Sequence, residues 1–176
     1  MIRDDELKRL IHYAKGLGVK VTIYSSHNKD GAADWALDGS EISVWSGGFS
    51  KTDTVLSLIH ELGHQLYFIH EKDRQPDLKF DEAITRENVV AKVNDKKNLT
   101  PKHLRKKIYD VEAAGTAWWS VIVKETNVKI PEWRISMQME MDIWMYEYYY
   151  EHGTFPDRTK ARLKRRELRD KWKPKR

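Results

Sequence analysis

The hydrophobic positions of the chain recur with the period of amphipathic helices over most of its length. The stretches with this pattern are residues 4–17, 52–70, 81–93, 100–126 and 131–151. Thr52 or Asp53 is predicted to cap the second of these helices. Thr100 followed by Pro101 predicts a strong start for the fourth. The chain is therefore predicted to be mostly helical.

Short alternating stretches before the second helix predict a small β-sheet. Residues 19–24 alternate as a strand does, and residues 33–37 and 41–45 form two more strands around Asp38-Gly39, a hairpin signal. These elements predict an α+β fold, a small sheet packed on a helical body with extra C-terminal helices. An exposed edge strand directly before a helix can hold an extended peptide by strand addition. A sheet that serves only for packing is the alternative.

At 176 residues the chain is long enough to bury a hydrophobic core. It is predicted to contain one domain over residues 1–156 and a basic C-terminal tail or helix over residues 157–176. There is no apolar run of about 20 residues, and Ile2 is followed at once by charged residues. Neither a membrane span nor a signal peptide is predicted, so the expected location is the cytoplasm, with no membrane partner.

The net charge of +5 is concentrated at the C-terminal end. Residues 157–176 contain 11 Lys or Arg and 3 Asp or Glu, a balance of +8, while the remaining residues have 21 basic and 24 acidic side chains, a balance of −3. Clustered Lys and Arg release counterions from phosphates, so nucleic acid or an acidic protein is a candidate partner for this segment. A solvated charged tail is the simpler alternative.

The second predicted helix contains the strongest chemical signal, an HExxH motif formed by His60, Glu61 and His64. Residues i and i+4 of a helix lie one turn apart on the same face, so both imidazoles can bind one ion. Glu61 would then lie beside the position of a reacting water and could act as its general base. The chain has no Cys, so disulfides and thiolate ligands are excluded and a metal must be held by His and carboxylates.

A catalytic zinc ion needs a third protein ligand, and Glu112 is the favoured one. It shares a helical stripe with Ile108, Gly115 and Trp119, the face that is predicted to turn inward. A buried lone carboxylate is costly unless it is paired or bound to a metal. The small residues around it would let this helix approach another closely. A salt bridge with Arg or Lys at the helix margin is the alternative.

Other candidates for the third ligand remain open. Glu82 and Glu87 lie 18 and 23 residues after His64, on a shorter predicted helix, and Glu82 ranks ahead of Glu87. His27 lies in a predicted turn, where a histidine is most often solvated. A peptidase also benefits from a donor to the oxyanion, and the tyrosines and histidine at the end of the 131–151 helix are noted for this role. They are Tyr146, Tyr148, Tyr149, Tyr150 and His152.

Three features together resemble the zinc metallopeptidases of the zincin group, and within them the compact ImmA/IrrE-like family. A short sheet segment at residues 31–45 precedes the metal helix, and residues 58–64 read L-I-H-E-L-G-H. On a later helix, Asp110-x-Glu112-Ala113 is similar to the acidic-x-Glu-Ala pattern of that family. The likeness implies that Glu112 completes a zinc site with the two histidines.

The resemblance covers roughly residues 20 to 125 and implies a zinc-dependent metallopeptidase, a hydrolase acting on a protein or peptide. In such an enzyme a zinc-activated water attacks the peptide bond and Glu61 is the general base. Members of the family are common in phage, plasmid and bacterial stress systems. The alternative is a non-catalytic, zinc-stabilised module that binds nucleic acid or an acidic protein through the basic segment.

Overall fold

The computed structural model describes residues 4–26, 33–36, 39–70 and 100–174. The elements in these ranges are α1 (Asp4–Gly16), β1 (Lys20–Tyr24), β2 (Ala33–Trp35), β3 (Glu41–Trp45), α2 (Lys51–His70), α3 (Lys102–Ala117), α4 (Trp119–Thr126), α5 (Glu132–His152) and α6 (Arg158–Trp172). The predicted α+β class is confirmed, because this part of the chain contains three strands and is otherwise mostly helical. The predicted helix over residues 81–93 and the turn at His27 lie outside the described residues. None of the described helices is long and apolar enough to cross a membrane.

The predicted antiparallel pairing of the second and third strands is confirmed, while Asp38 of the predicted turn lies outside the described residues. Strand β2 pairs antiparallel with β3, and Trp35 lies opposite Ile42. Strand β1 pairs with the other side of β3 in the parallel direction, so the described strands have the order β1-β3-β2. Ile42 and Val44 of the central strand are fully buried. The pattern of alternation predicted the strands, but the central place of β3 depends on contacts with residues distant in the chain.

The N-terminal cap of α2 differs from the prediction, which placed it at Thr52 or Asp53. The helix begins at Lys51, and Ser50 is the capping residue. The backbone N–H of Asp53 donates to Ser50 Oγ at 3.2 Å, and the backbone N–H of Ser50 donates to Asp53 Oδ2 at 3.3 Å. This reciprocal capping box satisfies two helix-terminal donors at once, which a cap at Thr52 or Asp53 would not do.

The prediction of one helix over residues 100–126 was wrong, because the helix is interrupted at Trp118. The N–H of Trp118 donates to the carbonyl of Gly115 at 3.2 Å, so the chain tightens before α4 begins. The interruption lets both tryptophans pack: Trp118 stacks on His70 with ring centroids 4.9 Å apart, and Trp119 is fully buried. Burial of Trp119 and stacking of the half-buried Trp118 on His70 offset the loss of helical regularity.

The described residues belong to two compact units, which divide α3 between Ala113 and Ala114. The first unit contains the sheet, α1, α2, α4 and the last turn of α3. Helix α2 lies at its centre, and Leu58, Ile59 and Leu62 are fully buried there. Helix α1, whose Leu10 is fully buried, packs on α2, so the histidine pair is carried by a well-packed helix.

The second unit contains the first part of α3, α5 and α6. The basic segment is a helix over most of its length, and Leu168 of α6 is fully buried against Met137 and Met141 of α5. The Nζ of Lys171 donates to both carboxylate oxygens of Glu140 at 2.8 Å. Helix α6 is therefore docked on α5 by an apolar centre with a charged contact at its margin.

Candidate metal centre

His60 and His64 lie on successive turns of α2, and their side chains converge. The two Nε2 atoms are 3.1 Å apart, and the ring centroids are 4.8 Å apart. When two imidazole nitrogens bind the same tetrahedral zinc ion, each at about 2.0–2.1 Å, the two nitrogens lie about 3.3 Å apart. The observed separation matches that spacing. It also fits a hydrogen bond between the two neutral rings, in which one tautomer donates and the other accepts.

Two tryptophans hold the imidazole rings in these orientations. The ring of Trp119 meets His60 edge-on, with centroids 5.9 Å apart and planes at 90°. On the other side, Trp35 of β2 stacks on His64 at 5.9 Å, with planes at 28°. The indole N–H of Trp35 donates to Gln65 Oε1 at 2.9 Å, which fixes that indole in turn. The rotamers of both histidines are therefore restricted before any ligand arrives.

Helices α2 and α3 approach each other at a pair of glycines, Gly63 and Gly115. A Cβ on Gly63 would lie 2.9 Å from the carbonyl carbon of Gly115 and still closer to its oxygen. A Cβ on Gly115 would lie 2.7 Å from Nδ1 of His64. Real Cβ atoms do not tolerate such distances, so only glycine fits at either position. The predicted close approach of the small-residue segment to another helix is confirmed.

Glu112 lies one turn before Gly115 on the continuous helix α3, and this position brings it to the histidines. One ligand atom from each of His60, His64 and Glu112 lies within 4.8 Å of the others. The group offers two imidazole nitrogens and one carboxylate, and it could hold a metal ion. The structure thus brings together the three side chains that the sequence singled out. The competing candidates Glu82 and Glu87 lie outside the described residues.

Glu61 follows His60 on α2 and is only 9% exposed. One residue corresponds to a rotation of about 100° around the helix, so Glu61 does not share the face of the two histidines. It stands beside that face, which is the position that the HExxH motif gives to a general base. A carboxylate in such a shielded place is held away from bulk water.

Sequence reasoning did not identify Trp35 as a neighbour of the site. It lies on a strand in a different part of the chain, and no local spacing connects it with His64. For Trp119 a signal existed, because it shares the inward stripe of Glu112. The tyrosines noted as oxyanion donors lie on α5, where Tyr148 accepts a hydrogen bond from Lys160 at 2.8 Å and Tyr150 packs on Tyr109.

Comparison with known proteins finds no relative of this chain. No protein-family model matches the chain, and no characterised protein or solved structure is significantly similar to it. The functional interpretation therefore depends on the side chains themselves.

Proposed function

We propose that this protein is a zinc-dependent metallopeptidase in which His60, His64 and Glu112 hold the metal. The observation that carries the proposal is the convergence of these three side chains on one place. Glu61, which follows His60 on α2, is 9% exposed. Convergence of two imidazoles alone is common in proteins. A carboxylate brought to them by a second helix, through a contact that requires two glycines, is a more demanding arrangement.

The donor set supports zinc as the metal. Two imidazoles and one carboxylate are ligands that catalytic zinc sites use, whereas calcium and magnesium prefer sets made of oxygen alone. Three protein ligands leave one coordination position open, which distinguishes a catalytic from a structural zinc site. Zinc held there would supply Lewis-acid chemistry, because it polarises a carbonyl group and lowers the pKa of water to about 7.

The residues of the chain would then divide the remaining work. Glu61 would take the proton of the attacking water and pass it to the leaving amine. Its limited exposure keeps bulk water from competing for that proton. In the described part of the sheet, β2 is an edge strand, and its Trp35 contacts His64. An extended peptide added to this edge would run beside the metal helix, which supports a peptide as the substrate class.

The motifs that resemble the ImmA/IrrE-like family point to the same proposal. They are the L-I-H-E-L-G-H sequence of α2 and the Asp110-x-Glu112-Ala113 sequence of α3. We include in the proposal a zincin-like arrangement and a cytoplasmic setting of the kind found in phage or other mobile elements.

The test combines zinc content with turnover in the variant Glu61→Gln. We expect one zinc ion per chain by elemental analysis in both wild type and variant, since Glu61 is not a proposed ligand. Hydrolysis of a quenched fluorogenic peptide library should fall by about 10²–10⁴-fold, the usual contribution of a general base. Glu132→Gln, which removes an exposed carboxylate at the start of α5, is the matched control and should keep the wild-type rate.

Two results would contradict the proposal. If Glu61→Gln cleaved the library as fast as the control, Glu61 would not be the base. If the wild-type protein bound zinc but cleaved nothing in the library, the non-catalytic zinc-stabilised module would be the better description.

A further inference from the structure

Helix α6 carries an unusual stripe of arginines on its exposed side. We call the following residues the arginine stripe: Arg158, Arg162, Arg165, Arg166 and Arg169. At about 100° per residue, these five positions fall within an arc of about 100° on the helix surface. All five are exposed. The helix as a whole contains eight Lys or Arg and two Asp or Glu, a balance of +6.

The lysines of α6 are used differently from its arginines. Lys160 donates to the hydroxyl of Tyr148 at 2.8 Å, and Lys171 binds Glu140, so both turn toward α5. Lys164 pairs with Glu167 on its own helix at 2.8 Å. Among the described residues, no ion pair engages the first four members of the arginine stripe, and Arg169 has only a distant contact with Asp170 at 3.7 Å. The stripe therefore presents its charge to solvent.

The stripe is held on a rigid support within the second unit. Leu168, about 110° around the helix from the centre of the stripe, is fully buried against Met137 and Met141 of α5. The carboxylate of Asp157 caps the helix by accepting from the N–H of Lys160 at 2.9 Å. A preorganised row of charges loses less conformational entropy on binding than a flexible tail would. The arginine stripe therefore lies on a folded helix that is docked on α5.

We propose that the arginine stripe binds the phosphate backbone of double-stranded DNA without reading the base sequence. From Arg158 to Arg169 the helix rises by about 16 Å, a length over which one DNA strand presents about five phosphates. The guanidinium group suits phosphate because its planar fork donates two parallel hydrogen bonds to the anion. Binding through one row of such contacts fixes position along the backbone and carries no base information.

The phosphate backbone of DNA fits this surface better than an acidic protein does. Protein interfaces are built around a desolvated apolar or aromatic centre, with charged residues at the rim. No apolar side chain lies within the arginine stripe. The exposed Leu163 lies about 110° around the helix from the centre of the stripe, too far to serve as its apolar anchor. Trp172 lies closer, but its indole N–H donates to Glu140 of α5, which holds this ring toward α5.

The experiment measures binding of a fluorescein-labelled duplex of about 20 base pairs by anisotropy, between about 50 and 200 mM salt. With four to five phosphates neutralised, the slope of log K against log salt should be about −4 for the wild-type protein. The triple variant Arg162→Gln, Arg165→Gln, Arg166→Gln should reduce the magnitude of this slope by about 2.7. The side chains involved are exposed, so the circular dichroism spectrum of the triple variant should match that of the wild-type protein.

Two further variants separate the stripe from net charge. Replacing Lys8, Lys15 and Lys124 by Gln removes the same number of charges from exposed positions in the first unit and should leave the slope unchanged. Changing the same three stripe arginines to Lys should keep the slope but weaken binding severalfold, because Lys cannot form the bidentate contact.

The proposal is overturned if the stripe variant with three Arg→Gln changes and the first-unit variant with three Lys→Gln changes lose affinity equally, since net charge would then explain the binding. It is also overturned if poly-glutamate binds the stripe and the duplex does not, which would identify an acidic protein as the partner. Binding should be the same for zinc-free protein and for Glu61→Gln. This inference therefore stands or fails separately from the proposed peptidase activity.

Discussion

Gly63 and Gly115 are the residues that set how closely α2 and α3 approach. They have no catalytic chemistry, yet the distance from Glu112 to the histidines depends on them. Gly115 also touches the ring of His64, since a Cβ there would lie 2.7 Å from Nδ1. The glycine within the HExxH motif thus has a packing reason that is independent of the metal chemistry.

The variant Gly63→Ala tests this role at the residue scale. Its methyl group would overlap the backbone of Gly115, so the helices must separate. We expect a loss of stability of about 1–3 kcal/mol, as for other overpacking changes, and a larger loss of zinc affinity. Urea denaturation and zinc titration measure the two effects. Gly16→Ala, at the end of α1 where a Cβ meets nothing within 4 Å, is the control and should be neutral or slightly stabilising.

If Gly63→Ala bound zinc as tightly as Gly16→Ala, the close approach of the two helices would have no part in forming the site.

At the scale of elements, the docking of α6 on α5 depends chiefly on Leu168. We expect Leu168→Ala to destabilise the second unit by about 2–5 kcal/mol, because the residue is fully buried and its loss leaves a cavity between methionines. Leu163→Ala removes the same atoms from a position that is 63% exposed and should change stability by less than about 0.5 kcal/mol. Hydrogen exchange of the α6 amides measures the difference, and equal protection in both variants would contradict the docked arrangement.

Glu140 makes the same docking dependent on pH. Hydrogen bonds from Lys171 and then Trp172 hold the pKa of this carboxyl below its ordinary value. A lowered folded-state pKa means that the contact stabilises the fold at neutral pH and that this contribution is lost as the pH falls through the lowered pKa. Because the group is about one-third exposed, the effect should stay below about 1 kcal/mol.

The comparison that checks this is the stability of wild type and Glu140→Gln across acidic pH. The two curves should differ at pH 7 and converge in acid. A difference that persists unchanged at the lowest pH would show that the carboxylate charge has no role.

At the scale of the whole molecule, bound metal should raise thermal stability, since it joins residues from two helices. Zinc at about 100 times its Kd adds about 2.7 kcal/mol, which corresponds to about 5–10 °C in Tm for a chain of this size. A chelator should remove that increment from wild-type protein. It should have no effect on the double variant His60→Ala, His64→Ala. The exposed pair His12→Ala, His103→Ala is the matched control and should respond as wild type does.

A Tm that is insensitive to both zinc and chelator in the wild-type protein would argue against a metal site at this group.

The sequence by itself determined the features whose causes are local. The spacing of His60 and His64 requires only one helical turn, and the apolar periods of α1, α2 and α5 predict their extents within a residue or two. The hairpin of β2 and β3 follows from alternation on both sides of Asp38-Gly39. The cap at Ser50 is also local, but several neighbouring residues can cap a helix, and only the observed pairing with Asp53 distinguished them.

The tertiary structure decided what depends on contacts between distant residues. The sequence favoured Glu112 as the third ligand but left Glu82 and Glu87 open, and the close approach of Gly63 to Gly115 is what brings Glu112 to the histidines. The interruption at Trp118 arises because burial of Trp119 and stacking of Trp118 on His70 outweigh local helix propensity. Likewise, whether the basic segment is a flexible tail or a docked helix depends on the packing of Leu168 against Met137 and Met141 of α5, and no local pattern contains that information.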